Sequence, residues 1–185
     1  MILHGAKYGD RCEEGAIDAW LSIIDTFSKL DNSIDKITQI NQLWNNYIYY
    51  YNDSIVDDDY IWISPLHCLT LESGDSNNIA MLKMITLLEM GFSEEQVRIY
   101  QVTAITDGDE FVHSVLGIHL DDADPLILDV LTNDITPLSS RTELTPIFAF
   151  NKKNVWIDNQ LTDNDAKTYV PAWGICVDLI NEELY

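Results

Sequence analysis

Gly91 divides the hydrophobic pattern of this chain into two parts with different periods, and that switch constrains the fold more than any single motif. Before it, apolar residues return every three or four positions. Ala16, Ile17, Trp20, Ile23, Ile24, Phe27 and Leu30 make one such stripe, and Ile34, Ile37, Ile40, Leu43, Trp44 and Tyr47 make a second. Each stripe is one face of a helix, and Asp31-Asn32-Ser33 between them ends the first and caps the next. Tyr47 to Tyr60 is too irregular to assign, and Pro65 closes that connection by pushing Ser64 out of helical geometry. Ser73 to Asn78 is a turn cluster and helix start. The helix that follows, through Ile79, Ala80, Met81, Met84, Leu87, Leu88 and Met90, is the most apolar in the chain and is expected to be central. Beyond Gly91 the period becomes two. Val97 to Ile105, Phe111 to Leu120 and Pro125 to Leu131 read as antiparallel strands joined by Asp- and Gly-rich turns, with a further pair at Pro146 to Phe150 and Asn154 to Ile157. Helices followed by strands predict an α+β fold.

The chain has 185 residues, and 46% of them are apolar, enough to build a core without staples. No repeat, low-complexity tract or linker marks a second domain, so residues 1–185 are expected to form one. Acidic residues outnumber basic ones 31 to 10, for a formal charge of −21. That charge excludes a sequence-independent grip on nucleic acid or on anionic lipid. No stretch approaches the length of a membrane span and no signal peptide is visible, so no membrane insertion is expected. Cys12, Cys68 and Cys176 are odd in number and widely spaced, which makes neither a disulfide framework nor a zinc site; all three are expected to be reduced.

Three residues are candidates for chemistry. Ser76, in Gly74-Asp75-Ser76, falls at the first turn of the apolar helix, where backbone N–H groups and the helix dipole favour an anion; Ser and Asp there are equally usual as N-caps. His113 lies within one strand and Asp129 near the end of the next, positions from which a base and its orienting carboxylate can meet. A core histidine and a strand-end turn former explain the same residues. His119 shares the face of His113 by the period-two rule, so position alone does not choose between them.

Several blocks, in order, carry a resemblance that spacing alone does not supply. They are Asp59-Tyr-Ile-Trp-Ile-Ser-Pro65, Gly74-Asp-Ser-Asn-Asn78, Leu88-Glu-Met-Gly91, His113-Ser-Val-Leu116, Pro125-Leu-Ile-Leu-Asp-Val-Leu131, and Ile135 through Pro137, Arg141 and Pro146 to Asn151, followed by Trp156. With these blocks, running from about Tyr8 to Ile157, the chain resembles the bacterial transglutaminase-like cysteine proteinases, the family of the LapG-type periplasmic proteases that release biofilm adhesins. The resemblance implies a transglutaminase-like, papain-like α+β fold of N-terminal helices followed by an antiparallel sheet. It places the family's catalytic cysteine at Ser76, its histidine at His113 and its aspartate at Asp129. It also places two acidic residues of the family at Asn77 and Asn78, so that of a calcium-binding group at Asp75, Asn77 and Asn78 only Asp75 keeps its charge. Calcium binding is therefore expected to be weak or absent.

A thiol ionises near pH 8.5 and a water-like hydroxyl near 15.7, a gap of about 7 units or roughly 10 kcal/mol in forming the nucleophilic anion. The resemblance with that substitution implies a degenerate, non-catalytic relative that binds a protein or peptide partner, such as an adhesin segment or a regulatory receptor, in the periplasm. The alternative is an endopeptidase of the adhesin-processing type, either inactivated by the change of Cys to Ser or working as an unusual Ser-His-Asp protease. The remaining acidic runs, Asp57 to Asp59, Asp107 to Glu110 and Asp121 to Asp124, lack the order of an EF-hand and read as solvated loops.

Overall fold

A computed structural model of the chain describes residues 14–51, 62–121 and 123–184. Cys12, Asp57 to Asp59 and Asp122 lie outside the described residues. Helix α1, Glu14–Ser28, and helix α2, Ser33–Tyr47, follow the two apolar stripes, and the Asn32 side chain caps α2 by accepting from the Ile34 N–H. Buried Trp20 and Trp44 are the large side chains those stripes contribute. The connection ends at Pro65 as the sequence reads, with Ser64 extended, but a helix the sequence reading did not assign follows it. Pro65 opens a short helix, α3, Pro65–Leu71, with Ser64 as N-cap. A proline bars helix at the residue before it and is well suited to the first helical position itself.

Two short strands, β1 at Tyr49–Tyr50 and β2 at Ser73–Gly74, then pair in parallel. They set Tyr50 beside Gly74. The apolar helix is α4, Ser76–Glu89, started by Asp75 in a reciprocal capping box with Asn78 and closed before Gly91, whose φ of 95° suits glycine. It is buried on nearly every face, from Asn78 through Leu87, which is why it shows little amphipathic contrast and sits at the centre.

Beyond Gly91 come β3 (Val97–Thr106), β4 (Asp109–Ile118), β5 (Leu126–Asp129), β6 (Thr132–Pro137), β7 (Leu144–Phe150), β8 (Asn154–Ile157) and β9 (Gln160–Asp165). They form one antiparallel seven-stranded sheet in the order β6-β5-β4-β3-β7-β8-β9. Two helices close the described chain, α5 at Ala166–Tyr169 and α6 at Pro171–Leu184. The main core joins α4 to Val97, Ile99, Leu116, Ile118 and Leu128 on one face of the sheet and takes in Trp173, Cys176 and Ile180 from α6. The other face buries Tyr100, Val102, Val115, Ile127 and Trp156 among strand residues, with Leu138 from the turn after β6, in a second, smaller core. Cys68 and Cys176 are buried and form no disulfide among the described residues, and burial pushes the Cys68 thiol up to about 12. No helix of the described residues is long and apolar enough to cross a membrane.

Candidate active site

The period-two rule and the pairing register build the site. Gln101 of β3 stands opposite Ser114 of β4, and Val102 stands opposite His113. Successive side chains of β4 therefore leave by opposite faces. Ser114 points to the start of α4, where its Oγ donates to Asn77 Oδ1 at 2.6 Å. His113 points the other way and meets Asp129, the last residue of β5, with 2.8 Å between Nε2 and Oδ1.

An ionised carboxylate only accepts, so Nε2 of His113 donates in that bond. Nδ1 is buried and has no hydrogen-bond partner among the described residues. The Phe111 and Tyr50 rings meet the imidazole edge-on at 5.8 and 6.4 Å and hold its plane.

Asp129 is fully buried. Burial alone would raise its pKa, but the hydrogen bond and charge of His113, the Leu131 N–H at 3.0 Å and the Arg141 guanidinium at 2.6 Å outweigh it and hold the carboxyl far below the usual range. Arg141 Nε turns to Glu143, so one planar fork ties two carboxylates together. On the other side, burial and then the charges of Asp129 and Asp75 raise the pKa of Tyr50, which marks this phenol as a neutral wall close to both acids.

Ser76 is 8% exposed at the first residue of α4. Its Oγ accepts from the Ser114 N–H at 3.2 Å. The structure joins His113 directly to Asp129 and joins Ser76 to the backbone of Ser114, the residue after His113, rather than to the ring. His119 is elsewhere. Six residues along a strand separate it from His113 by about 20 Å, and its Nε2 lies 3.0 Å from the Tyr100 hydroxyl. Burial first, and then the Arg98 charge, press its pKa down to about 4.

The amides beside Ser76 are committed. Asn77 Oδ1 accepts from Gln101 Nε2 at 2.8 Å as well as from Ser114 Oγ, while its Nδ2 donates to Asp75 Oδ2 at 3.2 Å. Asn78 Oδ1 accepts from the Asp75 N–H at 3.1 Å, and Asp75 Oδ1 accepts from the Asn78 N–H at 2.9 Å. These bonds fix both amide orientations. The oxygens face protein donors, and the Asn77 end nearest Asp75 is an N–H. Calcium needs converging oxygens, preferably charged ones, so this donor set does not fit the ion. Among the described residues no group of three or more His, Cys, Asp and Glu is placed to hold a metal.

Five contributors escaped the sequence reading. Arg141 and Ser114 stood inside recognised blocks without a role, while Tyr50, Gln101 and buried Lys83 gave no local signal. Lys83, two turns after Ser76, donates to Asn41 Oδ1 at 2.7 Å and Asn45 Oδ1 at 2.6 Å, and Asn45 Nδ2 donates to the Asp129 carbonyl at 2.8 Å.

A profile of the family described as bacterial transglutaminase-like cysteine proteinase matches residues 6–164. The fold is similar to calcium-bound LapG of Legionella pneumophila, with a TM-score of 0.78 and 26% identity over 95% of this chain and 94% of that one. It is likewise similar to Legionella pneumophila LapG in another structure, with a TM-score of 0.77 and 26% identity over 90% and 86% of the two chains. The EGTA-treated form gives the same score and identity over 90% and 88%. No curated protein sequence matches it.

Proposed function

The chain belongs to the bacterial transglutaminase-like cysteine proteinases, and from that premise we propose that it is a non-catalytic member that holds a protein or peptide segment where its relatives cut one. One observation carries the proposal. The side chain at the nucleophile position is a hydroxyl whose Oγ is bonded to the Ser114 N–H, while Nδ1 of His113 has no hydrogen-bond partner among the described residues. A serine nucleophile needs that base within hydrogen-bond reach to offset the roughly 10 kcal/mol by which a hydroxyl is harder to ionise than a thiol. A family site serves a thiolate, which starts about 7 pKa units easier to ionise and is stabilised further by the helix N-terminus and the imidazole. The partner in this reading is an adhesin segment or a regulatory receptor, and the compartment is the periplasm; both rest on family resemblance.

The second reading is an endopeptidase working through Ser76, His113 and Asp129. It is favoured by the intact pairing of His113 with Asp129 and by Arg141 behind it. Incubating the protein and its Ser76→Ala variant with a family-type adhesin fragment separates the two. Retention of the fragment with no turnover by either protein is expected. Rapid cleavage that Ser76→Ala abolishes would replace the first reading with the second. In Ser76→Cys, the α4 dipole and the imidazole should lower the thiol pKa, so that iodoacetamide labels it faster than free cysteine at neutral pH. An unreactive thiol would show that the site no longer supports a thiolate.

A further inference from the structure

We infer that Asn77 does the work of a cation at the start of α4, and that this end of the site is ordered without calcium. Three elements meet there: the Asp75 carboxylate at the N-cap, Gln101 on β3 and Ser114 on β4. A metal ion could bridge them only by drawing oxygens toward itself. The Asn77 amide bridges them as it stands, its Nδ2–H on Asp75 Oδ2 and its Oδ1 receiving Gln101 Nε2 and Ser114 Oγ.

The bridge is neutral, so it adds no second negative charge beside Asp75. An aspartate at 77 would put a carboxylate oxygen where the Nδ2–H now is, against Asp75 Oδ2 across 3.2 Å. Two carboxylates that close repel unless a cation or a proton joins them. The same logic holds one residue on. Asn78 is buried and its Oδ1 accepts from the Asp75 N–H, so its remaining polar atom, Nδ2, is a donor and not a metal ligand. Gly74 keeps this packing close, since a Cβ there would meet Asn78 Cβ and Cys68 Sγ at 3.0 Å. The amides have thus turned an oxygen-rich end into one where protein N–H and O–H groups face every oxygen named. This holds whether or not Ser76 turns over a substrate.

The test is thermal. Melting of the full chain in EGTA and in millimolar calcium should agree within about 1 °C, because a site filled a thousandfold above its Kd would raise the melting temperature of a protein this size by about 8 °C or more. Calorimetric titration with calcium chloride in physiological salt should show no micromolar site. The Asn77→Asp variant should melt at least about 4 °C lower in EGTA and recover in calcium, whereas Asn77→Ala should melt lower in both. Wild-type protein that calcium stabilises, or a micromolar site lost in Asp75→Asn, overturns the inference. So does an Asn77→Asp variant no more calcium-sensitive than Asn77→Ala. If Asn77→Asp does not fold under either condition, calorimetry on the wild-type protein decides.

Discussion

Arg141 anchors the buried carboxylate of the site at the scale of single residues. Its side chain is 11% exposed and its Nη2 lies 2.6 Å from Asp129 Oδ2, a buried charge with no water to fall back on. Removing one partner of such a pair costs about 3–5 kcal/mol, because the other charge is stranded. Arg141→Met should therefore lower the urea midpoint by an amount of that order, with the slope unchanged. Arg141→Lys should recover only part, since an ammonium cannot fork between Asp129 and Glu143. The pH dependence follows by linkage. Asp129 is depressed in the fold, so it contributes stability above its unfolded pKa, and that contribution disappears as pH falls through the folded one. Without Arg141 the folded pKa rises, and acid unfolding should begin at a higher pH. Equal acid midpoints in wild type and Arg141→Met would mean that His113 and Leu131 hold the carboxylate alone.

Helix α4 sets most of the geometry at the scale of elements, and it does so with an ionisable group inside it. Lys83 is fully buried, and the loss of water presses its pKa down to about 7 against the upward pull of Asp129. Its folded pKa is below its unfolded one, so the unfolded chain binds more protons above pH 7 and stability rises with pH there. Between pH 7 and 8 the expected gain is up to about 1 kcal/mol per unit, before unfolded thiols ionise and oppose it. Lys83→Met should flatten that slope whatever it does to overall stability. An unchanged slope would assign the proton to another group. The link to the site is physical, since Lys83 holds Asn45, and Asn45 holds the carbonyls of Asp129 and Thr132 at the β5–β6 turn. The patterns that announce α1, α2 and α4 leave this link unannounced, because a lysine in an apolar run is normally read as the edge of a helix. The same limit hid α3, β6 and β9, which are short or lack alternating apolar residues.

The second face of the sheet gives the whole molecule a second core, and one glycine makes room for it. A Cβ at Gly117 would lie 2.5 Å from the Tyr100 ring, which is 1% exposed and stacked on His119 with the ring planes 19° apart. Gly117→Ala should cost about 1–3 kcal/mol by overpacking and should loosen the Tyr100–His119 contact. In an NMR titration His119, held down to about 4 in the native protein, should then move toward its ordinary value; an unmoved value would place the cause elsewhere. The sequence by itself determined the succession of helices and then strands, the cap at Asp75, the stop at Gly91 and the paired faces of β3 and β4. Those features follow from periodicity and steric rules that act within a dozen residues. Family resemblance added which serine, histidine and aspartate to watch. Only the tertiary structure decided the strand order, the turn of Ser76 toward the Ser114 backbone, Arg141 behind Asp129, Lys83 beneath it and Asn77 between Asp75 and the sheet. Each of those is a contact between residues far apart in the chain, and its partner is set by which elements pack together rather than by any local preference.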